Sequence, residues 1–171
     1  DTWGQKYLDI VGNNNASRVS LTQAYINTNQ WSDTLVVKDE TNGFRFTIDL
    51  KAAKLSYVKF TGGNASDNVR SSMPYLSLVA DGKGGNDFLF GGGGHDILRG
   101  GDGNDWIEAG GGNNKIYGDA GNDQLWAGGI YTYMEGGAGR DVFYGVSGYA
   151  QYRTGTMFDS PLRNLVSTYR E

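Results

Sequence analysis

GKGGNDFLF (82–90), GGGGHDILR (91–99), GGDGNDWIE (100–108), AGGGNNKIY (109–117), GDAGNDQLW (118–126), AGGIYTYME (127–135) and GGAGRDVFY (136–144) are seven consecutive units of nine residues. Their sixth places read Asp87, Asp96, Asp105, Asn114, Asp123, Thr132 and Asp141, and their eighth Leu89, Leu98, Ile107, Ile116, Leu125, Met134 and Phe143. A flexible linker of similar composition keeps no apolar residue at one phase of nine. Of the chain's 28 glycines, 21 lie between Gly82 and Gly145, which places the sharp turning there. A fixed short period of this kind marks a repeat architecture.

Each unit has a physical reading. The first six residues are rich in glycine because the chain turns sharply through positive φ, where a side chain is strained. The last three alternate, as a very short strand with one side chain pointing inward. One unit cannot bury its apolar residue alone. Two units make an 18-residue coil with two strands, and stacked coils give two parallel sheets with the eighth-place residues between them. The expected fold is all-β: a right-handed parallel β-roll of stacked 18-residue coils.

Stacking aligns the aspartates. Units one, three, five and seven share one edge of the roll, so Asp87, Asp105, Asp123 and Asp141 form an unbroken column. Carboxylates at the inter-strand spacing of about 4.8 Å repel by roughly 3 kcal/mol at an effective dielectric of about 20. A column of four is intolerable in a fold stable by only about 5–15 kcal/mol. A cation has to enter. Hard oxygen donors suit Ca²⁺, and a chain with no Cys and one His is a poor site for softer metals.

GGDGNDWIE, GDAGNDQLW, GGGGHDILR and GGAGRDVFY resemble the RTX, or haemolysin-type, calcium-binding nonapeptide G-G-x-G-x-D-x-U-x. The resemblance covers residues 82–145 and implies a β-roll with Ca²⁺ between successive coils, in secreted bacterial proteins that order when they meet calcium. It implies ligands at the aspartate carboxylates and at turn carbonyls, here around Gly82, Gly84, Gly100, Asp102, Gly118 and Ala120 in one coil and Gly101, Gly103, Gly121 and Gly139 in the next. Three good sites are expected on the first edge. A weaker one lies between Asp96 and Asn114, and none at Thr132, whose turn has Ile130 and Tyr131 in place of glycine and asparagine. Gly62–Arg70 echoes the motif, with Asp67 in the aspartate place and Val69 in the apolar one. Asp67 thus extends the first column by one ion, for about three to five in all. The roll is expected to begin near Gly62, with an irregular half-coil over residues 71–81.

Residues 1–61 are poorer in glycine, and alternating runs predict strands at Tyr7–Val11, Arg18–Ile26, Thr34–Lys38, Phe44–Leu50 and Leu55–Thr61. Asn42-Gly43 fits a hairpin turn. This β-rich segment is either more degenerate coils or a separate cap. After Gly145 the period stops. In the 146–171 tail, Asp159-Ser160-Pro161 followed by Leu162, Leu165, Val166 and Tyr169 reads as an N-capped amphipathic helix closing the end of the roll.

The places flanking each inward residue face out. On one sheet they include Phe88, Phe90, Trp106, Trp126 and Tyr144, an aromatic strip too apolar to leave in water without a reason. Either the N-terminal segment or tail covers it, or it is a platform for sugar rings or a partner protein at a cell surface.

A net charge of −4 disfavours nucleic-acid and anionic-membrane partners. No run of 18 apolar residues spans a membrane. The start at Asp1, with no signal-peptide pattern, reads as a processed or excised chain. His95 sits in a turn at a place where other units carry Asn or Arg, so a turn-filling role is favoured over catalysis. No nucleophile triad, metal-hydrolase helix or phosphate loop is present, and an enzyme is not expected. The expectation is a calcium-binding β-roll module of a secreted or surface bacterial protein, structural or adhesive, that folds on Ca²⁺ binding. The alternative is a carbohydrate-binding or enzyme-accessory module.

Overall fold

A computed structural model describes residues 6–12, 15–27, 30–39, 44–145 and 149–153. The N-terminal part forms β1 (Tyr7–Val11), β2 (Arg18–Asn27), β3 (Gln30–Asp39), β4 (Phe44–Asp49) and a single helical turn, α1 (Leu50–Ala53). Then come β5 (Tyr57–Thr61), β6 (Asn68–Ser71), β7 (Ser77–Gly84), β8 (Phe88–Phe90), β9 (Ile97–Asp102) and β10 (Trp106–Glu108). The last are β11 (Asn113–Ala120), β12 (Gln124–Trp126), β13 (Tyr131–Ala138), β14 (Val142–Tyr144) and β15 (Tyr149–Arg153).

From β5 onward odd and even strands part into two sheets. The first has the order β1-β5-β7-β9-β11-β13-β15 and is parallel throughout; the second has the order β14-β12-β10-β8-β6-β2-β3-β4. In the repeats the register advances by one coil of 18 residues: Ile107 pairs with Leu89 and Leu125, and Ile116 with Leu98 and Met134. All seven eighth-place residues are buried, at 1 % exposure or less, in one apolar cluster with Val19, Leu21, Val58, Phe60, Val69 and Leu78. This is the parallel β-roll that the nine-residue period predicts.

The two sheets are not alike. Strands of the second sheet are three residues long in the repeats, as the x-U-x reading requires. Those of the first run to six or eight, because pairing continues through the third place of the next unit, Gly84 with Asp102 and Asp102 with Ala120. The turn on the first edge is therefore partly strand, and its main-chain groups are held in register.

The five N-terminal strands stand close to where alternation puts them. β1 pairs in parallel with β5, and β2 with β6. β3 and β4 add to the outer side of β2 as antiparallel strands. Asp49 caps α1 by accepting the Ala52 N–H at 2.9 Å, and Lys54 ends it in a left-handed conformation, φ 50°. The tail expected to hold a capping helix lies outside the described residues.

Candidate metal centre

The roll has two turn edges. On the first, running from first sheet to second, the sixth-place aspartates stack as their spacing requires, and Asp67 and Ser17 continue the column. Each carboxylate anchors the main chain of the coil before it. Oδ1 of Asp67 accepts from Ser17 N–H at 2.6 Å, Asp87 from Asp67 at 2.7 Å, and Asp105 from Asp87 at 2.7 Å. Oδ1 of Asp123 accepts from Asp105 at 2.8 Å, and Asp141 from Asp123 at 3.0 Å. Motif spacing alone did not reveal this inter-coil link.

The second oxygen makes the site. Oδ2 of Asp87, Asp105 and Asp123 is buried with no hydrogen-bond partner. Each points into the space over the glycine that opens its own unit. A Cβ on Gly82 would lie closer than 3.0 Å to both Asp87 Oδ2 and Gly100 O. One on Gly100 would meet Asp105 Oδ2 and Gly118 O, and one on Gly118 would meet Asp123 Oδ2 and Gly136 O. A carboxylate oxygen and a carbonyl oxygen thus flank one small volume between coils. Two buried acceptors with no donor between them are costly, and a hard cation is the partner that fits.

Burial is the main reason these carboxyls hold their protons. It raises Asp87 and Asp123 from 3.8 to about 7, against the lowering effect of the main-chain N–H each accepts; neighbouring aspartates add to the rise. Asp105 rises to about 6 for the same first reason, helped by Asp119 and Asp102. Removing the protons without adding a cation would bury bare charge.

The column's start differs. Oδ2 of Asp67 accepts from Gly63 N–H at 3.2 Å, so both of its oxygens have donors. Of the expected carbonyls, those of Gly100 and Gly118 face the orphaned oxygens directly. Those of Asp102 and Ala120 accept main-chain N–H groups from Gly85 and Gly103, at 2.9 and 2.7 Å. The carbonyl of Gly136 was missed in the sequence, although it opens the seventh unit as Gly118 opens the fifth. At the fourth place, Gly103 and Gly121 (φ 132° and 144°) pass so close over the previous coil's carbonyl that no side chain fits.

On the second edge Asp96, Asn114 and Thr132 stack, and the chemistry changes down the column. Asp96 Oδ1 accepts from Leu78 N–H at 2.7 Å, while Oδ2 is buried without a partner beside Ala109 O. Burial raises its carboxyl to about 7, the Leu78 N–H opposing. Asn114 Oδ1 accepts from Asp96 N–H at 2.9 Å, and its Nδ2 donates to Gly111 O at 2.8 Å. Thr132 donates its hydroxyl to Gly128 O at 2.6 Å.

Among the described residues no three carboxylate, imidazole or thiol side chains converge. An ion held here would have to be completed by main-chain oxygens, which the turns supply. Residues 79–107, 99–129 and 133–149 match the family model of the RTX calcium-binding nonapeptide repeat, which describes four copies of the repeat. Within residues 79–149 the chain carries RTX repeats. No curated protein and no solved structure matches the chain. The RTX turns also account for His95, whose Nδ1 accepts from Asn113 N–H at 2.9 Å. It does on the second edge what Asn86 and Asn104 do on the first, accepting from Asn104 and Asn122 N–H at 2.7 Å.

The RTX strands carry the aromatic strip on the second sheet as a ladder. Phe88 and Trp106 stack with centroids 5.9 Å apart, Trp106 and Trp126 at 4.0 Å, and Trp126 and Tyr144 at 4.2 Å, their planes within 25°. The Arg70 guanidinium closes one end, 4.4 Å from the Phe88 ring. The ring faces are turned on one another along the roll, leaving edges toward solvent. β3 and β4 extend the second sheet at its margin instead of crossing the ladder. No helix of the described residues is long and apolar enough to cross a membrane.

Proposed function

We propose that this module folds around Ca²⁺, with the ions held between coils at the first edge. The observation that carries the reading is the orphaned Oδ2 of Asp87, Asp105 and Asp123, each facing the opening carbonyl of the next coil. Three first-edge sites follow, at Asp87/Gly100, Asp105/Gly118 and Asp123/Gly136. A weaker fourth uses Asp96 and the Ala109 carbonyl. Calcium supplies the positive charge that lets these carboxyls ionise while buried. The chain's own residues supply the oxygens and lock one carboxylate oxygen of each site to the neighbouring coil.

Extracellular calcium modules bind at around 10⁻⁴ to 10⁻³ M. At millimolar calcium each such site contributes about 0.4–1.4 kcal/mol by mass action, and several act together. At sub-micromolar calcium that contribution vanishes, and the glycine-rich chain keeps the backbone entropy of about 1–2 kcal/mol per residue that folding removes. A module that is loose inside a bacterium and ordered outside it suits a secreted or surface protein, in a structural or adhesive role. A carbohydrate platform would need aromatic faces free for sugars, and here the rings use them on each other.

The test is a far-UV circular dichroism titration with Ca²⁺ and EDTA, with bound ions counted by native mass spectrometry. Calcium should bring in the β spectrum cooperatively, with about four ions bound. An unchanged spectrum after exhaustive chelation, with no ion bound on adding calcium back, would sink the reading.

A further inference from the structure

We infer that Ala109 and Ala127 exclude calcium from two turns of the second edge, and that the first and sixth places of a unit decide together whether it takes an ion. This rests on the calcium reading above and adds a selection rule to it.

The rule is visible in the pairs. Every sixth-place aspartate has glycine five residues earlier: Gly62 and Asp67, Gly82 and Asp87, Gly91 and Asp96, Gly100 and Asp105, Gly118 and Asp123, Gly136 and Asp141. The two alanines at that place, Ala109 and Ala127, precede Asn114 and Thr132. In each aspartate unit of the repeats a Cβ at the first place would lie closer than 3.0 Å to that unit's own Oδ2, at 2.5 Å for Gly91 and Asp96. An alanine methyl and an inward carboxylate oxygen therefore compete for one volume. At Ala109 and Ala127 the methyl is there, buried at 0 % and 4 % exposure.

The sixth-place residues have changed to match. Asn114 keeps the oxygen that anchors the Asp96 N–H, but puts an N–H donor where aspartate presents its second oxygen, and that donor satisfies Gly111 O. Thr132 satisfies Gly128 O with its hydroxyl. Each donor ties its side chain to a carbonyl of its own turn, where an aspartate leaves an oxygen facing the next coil's carbonyl and open to an ion. The methyl fills the remaining space. These two turns need no metal and leave none a place. The second edge is thus calcium-dependent at Asp96 and self-sufficient beyond it.

Two reciprocal variants test the rule, each read by ion count in native mass spectrometry and by circular dichroism in saturating calcium. Ala109→Gly with Asn114→Asp should bind one ion more than wild type, while Asn114→Asp alone should gain none. Moving the pair to the first edge, Gly100→Ala with Asp105→Asn should regain the wild-type spectrum that Gly100→Ala alone loses, with fewer ions bound. An extra ion on Asn114→Asp alone, or a Gly100→Ala/Asp105→Asn variant as damaged as Gly100→Ala, would overturn the rule while leaving the first-edge sites standing. A wild-type chain that binds no calcium would remove both readings together.

Discussion

The main-chain N–H of Asp87 donates to Oδ1 of Asp105 at 2.7 Å, so the carboxylate of one coil fastens the backbone of the coil before it. The same carboxylate presents Oδ2 to Gly118 O. One side chain therefore serves coil stacking with one oxygen and lends the other to the proposed cation site. Each of Asp105→Ala and Asp96→Ala strands a buried N–H, of Asp87 or of Leu78, at a cost of about 1–3 kcal/mol. Asp105→Ala should nonetheless raise the calcium midpoint several-fold, and more than Asp96→Ala, because Asp105 stands between Asp87 and Asp123 in an unbroken column whereas Asp96 is followed by Asn114. Asp105→Asn, which retains an acceptor, should fall between. Calcium titrations of the three variants by circular dichroism check the order, and equal midpoints for Asp105→Ala and Asp96→Ala would show the column assignment to be mistaken.

Acid should substitute in part for calcium. The folded, calcium-free roll holds Asp87, Asp96 and Asp123 protonated up to about 7 and Asp105 up to about 6, against 3.8 as the ordinary value. Between about pH 4 and 7 the folded state then binds more protons than the unfolded chain. Its stability rises on acidification and is lost as pH climbs through 6 to 7. In EDTA the chain should show more β structure at pH 5 than at pH 8. The calcium midpoint should move the other way, rising as pH falls, because each ion must displace protons. A calcium-free chain better folded at pH 8 would contradict the burial of these carboxyls.

Two glycine-to-alanine changes should differ sharply. At Gly100 the new methyl would strike Asp105 Oδ2 and Gly118 O, whereas at Gly111 its nearest neighbour is Gly93 Cα at 3.3 Å. Overpacking of the first kind costs about 1–3 kcal/mol or more, with loss of the site besides. Gly111→Ala should melt within a few degrees of wild type in calcium, and Gly100→Ala well below it. Similar melting temperatures would mean that the space over Gly100 is not tight.

Trp106 sits in the middle of the aromatic ladder, stacked on Phe88 and Trp126. Such pairs contribute about 0.5–1.5 kcal/mol each beyond buried area, so Trp106→Ala should destabilise the calcium-loaded module by about 1–3 kcal/mol. Its ion count should be unchanged, since the ladder lies on a sheet face away from the turns. Urea unfolding in saturating calcium measures the first quantity and native mass spectrometry the second. A loss of ions would tie the ladder to the metal edge.

The nine-residue period, the inward residue of each unit and the phase of the acidic column are all legible in the amino-acid order, because turn chemistry and strand alternation are local. Alternation likewise places the N-terminal strands, yet says nothing of their partners. The antiparallel pairing of β3 with its sequence neighbours β2 and β4 is local, but that β2 also pairs in parallel with β6 depends on contacts across fifty residues. The candidate site divides the same way. Asp87, Asp105 and Asp123 are read from spacing, but which oxygen is tied and which is orphaned depends on the carbonyl that the next coil brings over Gly82, Gly100 and Gly118. The ladder is the sharpest case. Register sets Trp106 opposite Gln124 and Trp126 opposite Glu108, yet the two indoles stack along the diagonal at 4.0 Å. Large rings reach past their direct neighbours, and only side-chain packing between coils decides which ones meet.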